Sequence, residues 1–182
     1  MDTEHETSAA IKAYKAGDFD AALTAALELA KHNVQVGHYL CGIIYEIGSS
    51  SAGVDRSLSY KYYQLLAKGF GDDEGYLGCA RILLQEKDFE KASLAVTFCR
   101  KAIDLKRNQF AYVVLGDIYQ ELFHPPEVKS SMKAYFNAAI HGAAWGWRRM
   151  ASLESKQGNK MLSILLHILA TFLFPLYLLL GG

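Results

Sequence analysis

The residues with reactive chemistry to offer are six histidines, three cysteines and one acidic run. His5, His32, His38, His124, His141 and His167 are scattered, with no His-x-x-x-His pair and no paired-cysteine spacing of the kind that holds zinc. Cys41, Cys79 and Cys99 form an odd, widely spaced set without Cys-x-x-Cys. That set suits reduced thiols better than a disulfide framework. Asp72-Asp73-Glu74 stand before an expected helix, where their charge serves the helix N-terminus rather than an acid–base pair. No nucleophile elbow, phosphate-binding loop or dinucleotide-binding glycine turn occurs. The chain is therefore not expected to be an enzyme, and no metal or cofactor is expected. Its 19 basic and 19 acidic side chains balance, so no charge surplus drives nucleic-acid binding.

Recognition chemistry fits better. Tyr39, Tyr76 and Tyr112 occupy equivalent positions in the first helices of successive repeats and are candidate protein-binding residues, offering flat contact area at low entropic cost. The alternative for all three is packing between repeats. Trp145, Trp147, Arg148 and Arg149 are candidates for contact with a membrane surface, since Trp and Arg suit the headgroup region. Their alternative is a last repeat with two core tryptophans.

The elements that position these residues repeat. Gly17-Asp18-Phe19, Gly53-Val54-Asp55, Lys87-Asp88-Phe89 and Pro126-Glu127-Val128 each open the second helix of a hairpin, with apolar anchors at Phe19, Val54, Phe89 and Val128. First helices carry a matching mark at Gly42, Leu77-Gly78 and Leu115-Gly116, and Met150-Ala151 follows as a degenerate fifth copy. Two landmarks with one period make this a repeat protein. A single hairpin cannot bury its apolar face, whereas stacked hairpins can. Helices are expected over 8–16, 18–31, 36–48, 54–68, 73–86, 88–104, 109–122, 126–141 and 143–157. The mid-helix glycines should admit a close neighbour, with Tyr45 and Tyr119 one turn further along filling the space beside it. Lys68-Gly69 and His141-Gly142 read as helix stops, and Pro125-Pro126 as a helix start.

Residues 111–142 and 37–69 resemble Sel-one-like repeats, a variant of the tetratricopeptide repeat. The likeness rests on Leu115-Gly116, Tyr119, Tyr135-Phe136 and the closing Ala138-Ala139-Ile140-His141-Gly142. It recurs as Gly42, Tyr45, Gly53-Val54-Asp55, Tyr62-Tyr63 and Ala67-Lys68-Gly69. The first copy, through Gly17-Asp18-Phe19-Asp20-Ala21-Ala22-Leu23, is closer to an ordinary tetratricopeptide half. The third departs, with Lys106-Arg107-Asn108 where the closing glycine belongs. The resemblance implies scaffolding on the concave face formed by first helices, and it implies no reaction.

From Met161 to Leu180 the chain reads MLSILLHILATFLFPLYLLL, without Lys, Arg, Asp or Glu. Twenty residues at about 1.5 Å each match a bilayer core of about 30 Å. Lys156 and Lys160 flank one side only, which places the array on the cytoplasmic side of a single-pass tail anchor. The alternative is a last solenoid helix, although a capping helix needs a polar outer face. Ser163, His167 and Thr171 sit four apart and form a candidate face for a partner helix or a second copy of the chain. A simple anchor is the other reading of that stripe.

These readings combine into one expectation. The fold is an all-α, right-handed-type solenoid of helix-turn-helix repeats over 8–158, with a flexible N-terminus at 1–7 and a transmembrane helix at 161–180. The function is that of a membrane-anchored scaffold or adaptor, with protein partners and the lipid bilayer as its contacts. The rival is a permanent subunit of an integral membrane complex, bound mainly through the C-terminal helix.

Overall fold

The computed structural model describes residues 3–179, with side chains through Thr171. Its α-helices are α1 (Thr3–Lys15), α2 (Phe19–Lys31), α3 (Gln35–Ile47), α4 (Arg56–Phe70), α5 (Asp73–Gln85), α6 (Ala92–Lys106), α7 (Gln109–Glu121), α8 (Val128–Ile140), α9 (Ala144–Lys156) and α10 (Lys160–Leu179). One 3-10 turn, Phe89–Lys91, leads into α6. The chain is an all-α helical repeat solenoid of antiparallel hairpins. Helix α1 begins at Thr3, inside the stretch expected to be a flexible extension.

Each turn is built from the residue types that the repeat alignment brings together. Asp18 and Asp55 cap α2 and α4, and Asp88 caps the 3-10 turn that leads into α6; they accept the amide hydrogens of Ala21, Leu58 and Lys91 at 3.1, 2.9 and 3.0 Å. Asp72 does the same for Glu74 and Gly75 at the start of α5, as the acidic run implies. The expected stop at Gly69 is not where α4 ends. The helix runs on to Phe70, and Gly71 takes the left-handed position at φ 63°. Arg107 adopts that conformation at φ 48°, so the third repeat closes its helix without the missing glycine. The two prolines lie in the turn ahead of α8, which starts at Val128.

The helices group into two compact units, residues 1–82 and 83–182, with the boundary inside α5. In the first unit Ala22, Ala26 and Leu29 of α2 meet Leu40, Cys41 and Ile44 of α3 in a closed core. Alanines dominate one side, so the helices approach closely. The second unit has a cluster of Tyr135, Met150, Ala151, Leu153 and Leu166, which draws α8, α9 and α10 together.

Tyrosines from the second helices, not Tyr45 or Tyr119, occupy the space beside the mid-helix glycines. A Cβ on Gly42 would stand 2.7 Å from the Tyr63 ring, and one on Gly78 would collide with the same ring. A Cβ on Gly116 would collide with the Tyr135 ring. Tyr63 and Tyr135 are almost completely buried. Tyr45 instead stacks on Tyr62, and Tyr119 packs against Phe123. A side chain one turn along the same helix points beside its own glycine, whereas the neighbouring helix points into it.

The Gly116→Ala variant is expected to lose about 1–3 kcal/mol in urea unfolding, the usual range for overpacking a filled core. Gly69 has no atom within 4 Å of an added Cβ and lies in a helix. Gly69→Ala should gain up to about 1 kcal/mol from helix propensity alone. Equal effects at the two positions would remove the packing account.

Candidate functional site

The same two tyrosines carry a polar cluster at the rim of each ring. Tyr63 donates its hydroxyl hydrogen to Glu46 Oε2 at 2.8 Å. Arg81 grips that carboxylate with two nitrogens, at 3.0 Å to Oε1 and 2.7 Å to Oε2, and also donates to the Tyr63 hydroxyl at 2.9 Å. In the second unit Tyr135 donates to Asp117 Oδ1 at 2.7 Å, and Arg149 reaches Oδ2 at 3.0 Å. Each cluster ties a first helix, the following second helix and the next first helix together. Burial opposes charge on Arg81, yet the hydrogen-bonded Glu46 outweighs it and the guanidinium stays protonated. Burial pushes the Asp117 carboxyl up, with the Tyr135 hydroxyl and Arg149 pulling the other way. Burial likewise drives the Tyr63 and Tyr135 hydroxyls far above the usual tyrosine range. These groups are saturated with one another, so they hold the helices and offer nothing to a substrate.

The three cysteines and His38 are also committed to packing. All three cysteines are buried and outside any disulfide, and burial pushes the Cys41 and Cys79 thiols up to about 12. Among the described residues no group of His, Cys, Asp and Glu could hold a metal ion. His38 is buried between the rings of Tyr62 and Phe70, with Nε2 3.1 Å from Asn33 Oδ1. Burial holds its pKa below the ordinary histidine value.

Tyr39, Tyr76 and Tyr112 are half-buried rather than displayed. Tyr39 packs against the α2–α3 core. Tyr112 presents a face to His141, stacked at 5.4 Å and 14°, so the end of α8 already covers that face.

The Trp and Arg group divides. Trp147 is half-buried on the α8–α10 cluster, edge-on to Phe136 at 6.3 Å, and Arg149 turns to Asp117. Trp145 and Arg148 point outward, with the guanidinium 5.3 Å from the indole centre. They line an open groove of about 350 Å³ together with Phe110, Ala143, Ala170 and Thr171. Trp145 is 58% exposed and Phe110 is 52% exposed. Among the described residues Arg148 has no carboxylate partner. The groove thus presents the exposed Phe110 ring beside an exposed Trp145 indole on which the Arg148 guanidinium lies. Phe110 has no counterpart among the residues singled out in the sequence, because only the close approach of α7, α9 and α10 makes it part of a surface.

Helix α10 docks on α9 through Ser163, Leu166 and Ala170, which are buried. Its other side exposes Met161, Leu162, Ile164, Leu165 and Ile168. His167 and Thr171 are exposed as well, and Thr171 donates its hydroxyl hydrogen to the His167 carbonyl at 2.8 Å. The stripe of Ser163, His167 and Thr171 therefore has one member turned inward and two outward. Among the described residues no helix is long and apolar enough to cross a membrane. The expected span over 161–180 runs past Thr171, and its remaining side chains lie outside the described residues.

Glu46, Arg81 and Asp117 escaped the sequence reading, as did the first-turn glycines Gly37 and Gly75. A Cβ on Gly37 or Gly75 would stand 2.5 Å from the backbone of the preceding helix, at Ala30 or Ala67. Their spacing of about one repeat is a usable signal. The carboxylates give none, because Glu46 stands four residues after its glycine and Asp117 only one.

No protein-family model matches the chain, and no curated protein matches it. Solved structures do resemble it. A crystal structure of MamA superposes with a TM-score of 0.67 at 17% identity, covering 89% of this chain and 92% of that one. A second MamA crystal structure gives 0.66 at 18% identity, covering 92% and 89%. A Sel1 repeat protein from Oxalobacter formigenes gives 0.39 at 14% identity, covering 91% and 82%. At these identities the MamA likeness establishes the fold and nothing further.

Glu46→Ala is expected to cost about 3 kcal/mol in urea unfolding, the lower end for breaking a buried pair because Arg81 keeps some solvent contact. Tyr63→Phe, which leaves the ion pair intact, should cost only about 1 kcal/mol. His38 adds a pH dependence. Its folded pKa lies below the ordinary value of about 6.5, so the unfolded chain binds the proton more readily. Stability of the first unit is full above about pH 6.5 and falls as pH drops through the folded pKa. His38→Gln should flatten part of that fall in unfolding curves taken between pH 7 and 5.

Proposed function

We propose that this chain is a protein-interaction scaffold, attached to the cytoplasmic side of a membrane through its C-terminal helix. The groove at Phe110, Trp145 and Arg148 carries the scaffold reading. Exposed Trp and Arg on rigid helices are the residue types that dominate binding energy at protein interfaces. The three tyrosines expected to do this work are better spent inside the array. The MamA-like fold supports the architecture on which such a groove depends.

Support for attachment comes from the charge-free run over 161–180, the apolar outer side of α10, and the flanking Lys156 and Lys160. The docked position of α10 sets a geometric condition. From Lys160 to Thr171 the helix advances about 16 Å, and Thr171 lies level with Trp145 and Arg148 of α9. Docked in this way, α10 meets a bilayer lengthwise, with Ile164 and Ile168 facing lipid and Trp145 and Arg148 near the headgroups. A tail anchor crossing about 30 Å of hydrocarbon requires α10 to leave α9 and uncover Leu166 and Ala170.

Vesicle flotation of the full chain tests the attachment. Wild type should float with vesicles of mixed zwitterionic and anionic phospholipid, and Ile164→Glu with Ile168→Glu should remain at the bottom. Equal flotation of both would sink the attachment through this face. Resistance of the wild type to an alkaline wash would assign the crossing rather than the lengthwise arrangement. For the scaffold, Trp145→Ala with Arg148→Glu should lose proteins that co-purify with the wild type from its own cells. An unchanged set would remove the groove from the reading.

A further inference from the structure

A second cavity, of about 290 Å³, lies in the other unit-two hairpin, away from the Trp145 groove. Its walls are Arg100 of α6 and Ser130, Lys133 and Asn137 of α8, and its floor is Leu115 and Tyr119 of α7. No carboxylate lines it. Four other cations of the array find acids: Arg81 pairs with Glu46, Arg149 with Asp117, Lys31 with Glu28 and Lys91 with Asp88. Arg100 and Lys133 do not pair with any acid among the described residues. Arg100 reaches only the Tyr119 hydroxyl, at 3.3 Å. Arg100 of α6 and Lys133 of α8 thus bring two positive charges to the lining of one recess.

We propose that this recess binds the carboxylate side chain of an acidic segment on a partner protein. The charge balance selects the ligand. Ser130 donates its hydroxyl hydrogen to Glu127 at 2.7 Å, which sets one negative charge at the rim against the two positive ones. The net surplus of one positive charge is neutralised by a monoanionic carboxylate, whereas a dianionic phosphoryl group would leave an excess negative charge in the recess. The donors also match: a guanidinium fork takes both oxygens of a planar carboxylate, with the Lys133 ammonium, the Tyr119 hydroxyl and the Asn137 amide around it. Leu115 and Ala134 give the methylene groups of a glutamate an apolar floor. The site is walled by second helices, so it is separate from the first-helix face that the repeat resemblance implies for docking. It is independent of the groove and of membrane attachment.

The test is fluorescence anisotropy of a labelled, end-blocked peptide carrying adjacent glutamates, titrated with the full-length chain in mild detergent at low salt. A glutamine counterpart is the control. The glutamate peptide should bind and weaken with salt, and the glutamine peptide should not bind. Arg100 and Lys133 are both exposed, so Arg100→Gln with Lys133→Gln should keep the fold. That variant should lower affinity about tenfold or more, the loss expected from removing charge-assisted hydrogen bonds. Trp145→Ala, which strips the groove, should leave the affinity unchanged. Equal binding of the two peptides, or an unchanged affinity in the double variant, would overturn the proposal. Displacement by inorganic phosphate as effective as by the free peptide would overturn the choice of carboxylate.

Discussion

The array depends on one contact: a tyrosine ring from a second helix seated on the bare backbone of a first-helix glycine. Gly42 and Gly78 both close on Tyr63, and Gly116 closes on Tyr135. The contact needs both partners at once. A mid-helix glycine costs about 1 kcal/mol against alanine, which burying an aromatic ring more than offsets. Once the ring is inside, its hydroxyl must find a partner. Glu46 and Asp117 supply one, and Arg81 and Arg149 compensate the buried acids. The polar cluster is thus a consequence of the packing, and it joins three consecutive helices in each unit.

That arrangement explains why several titratable groups are perturbed. Perturbed tyrosine, cysteine and carboxyl groups often mark active sites. Here the perturbation has another cause, since each group is buried among helix contacts. The groups left over for function are those the packing does not use: Phe110, Trp145 and Arg148 at one groove, Arg100 and Lys133 at another, and the outer side of α10. All three surfaces belong to the second unit and are built from different combinations of its helices.

Helix α10 reconciles two readings that seemed opposed. It packs on α9 as a last solenoid helix through Ser163, Leu166 and Ala170, and it also lacks the polar outer side that a capping helix needs. An apolar stripe over half of a helix can serve the core on one side and a bilayer or a partner on the other. Under the proposed attachment, whether α10 lies along a membrane or crosses it depends on whether the α9 contact holds.

Much of the architecture was legible in the residues themselves. The repeat period, the Asp18, Asp55 and Asp88 caps and the helix order follow from local chemistry, because caps and amphipathic periods act within a few residues. The resemblance of 111–142 and 37–69 to Sel-one-like repeats pointed to the same fold. Tertiary structure alone decided which side chain fills each glycine notch, since Tyr63 and Tyr135 lie about twenty residues from Gly42 and Gly116. It separated Trp145 from Trp147, two positions apart on a helix and therefore on opposite sides of it. It also brought Phe110 to Trp145, and Arg100 to Lys133, across more than thirty positions of chain. Local pattern determines helices; which of their faces are left uncovered is settled only when the helices meet.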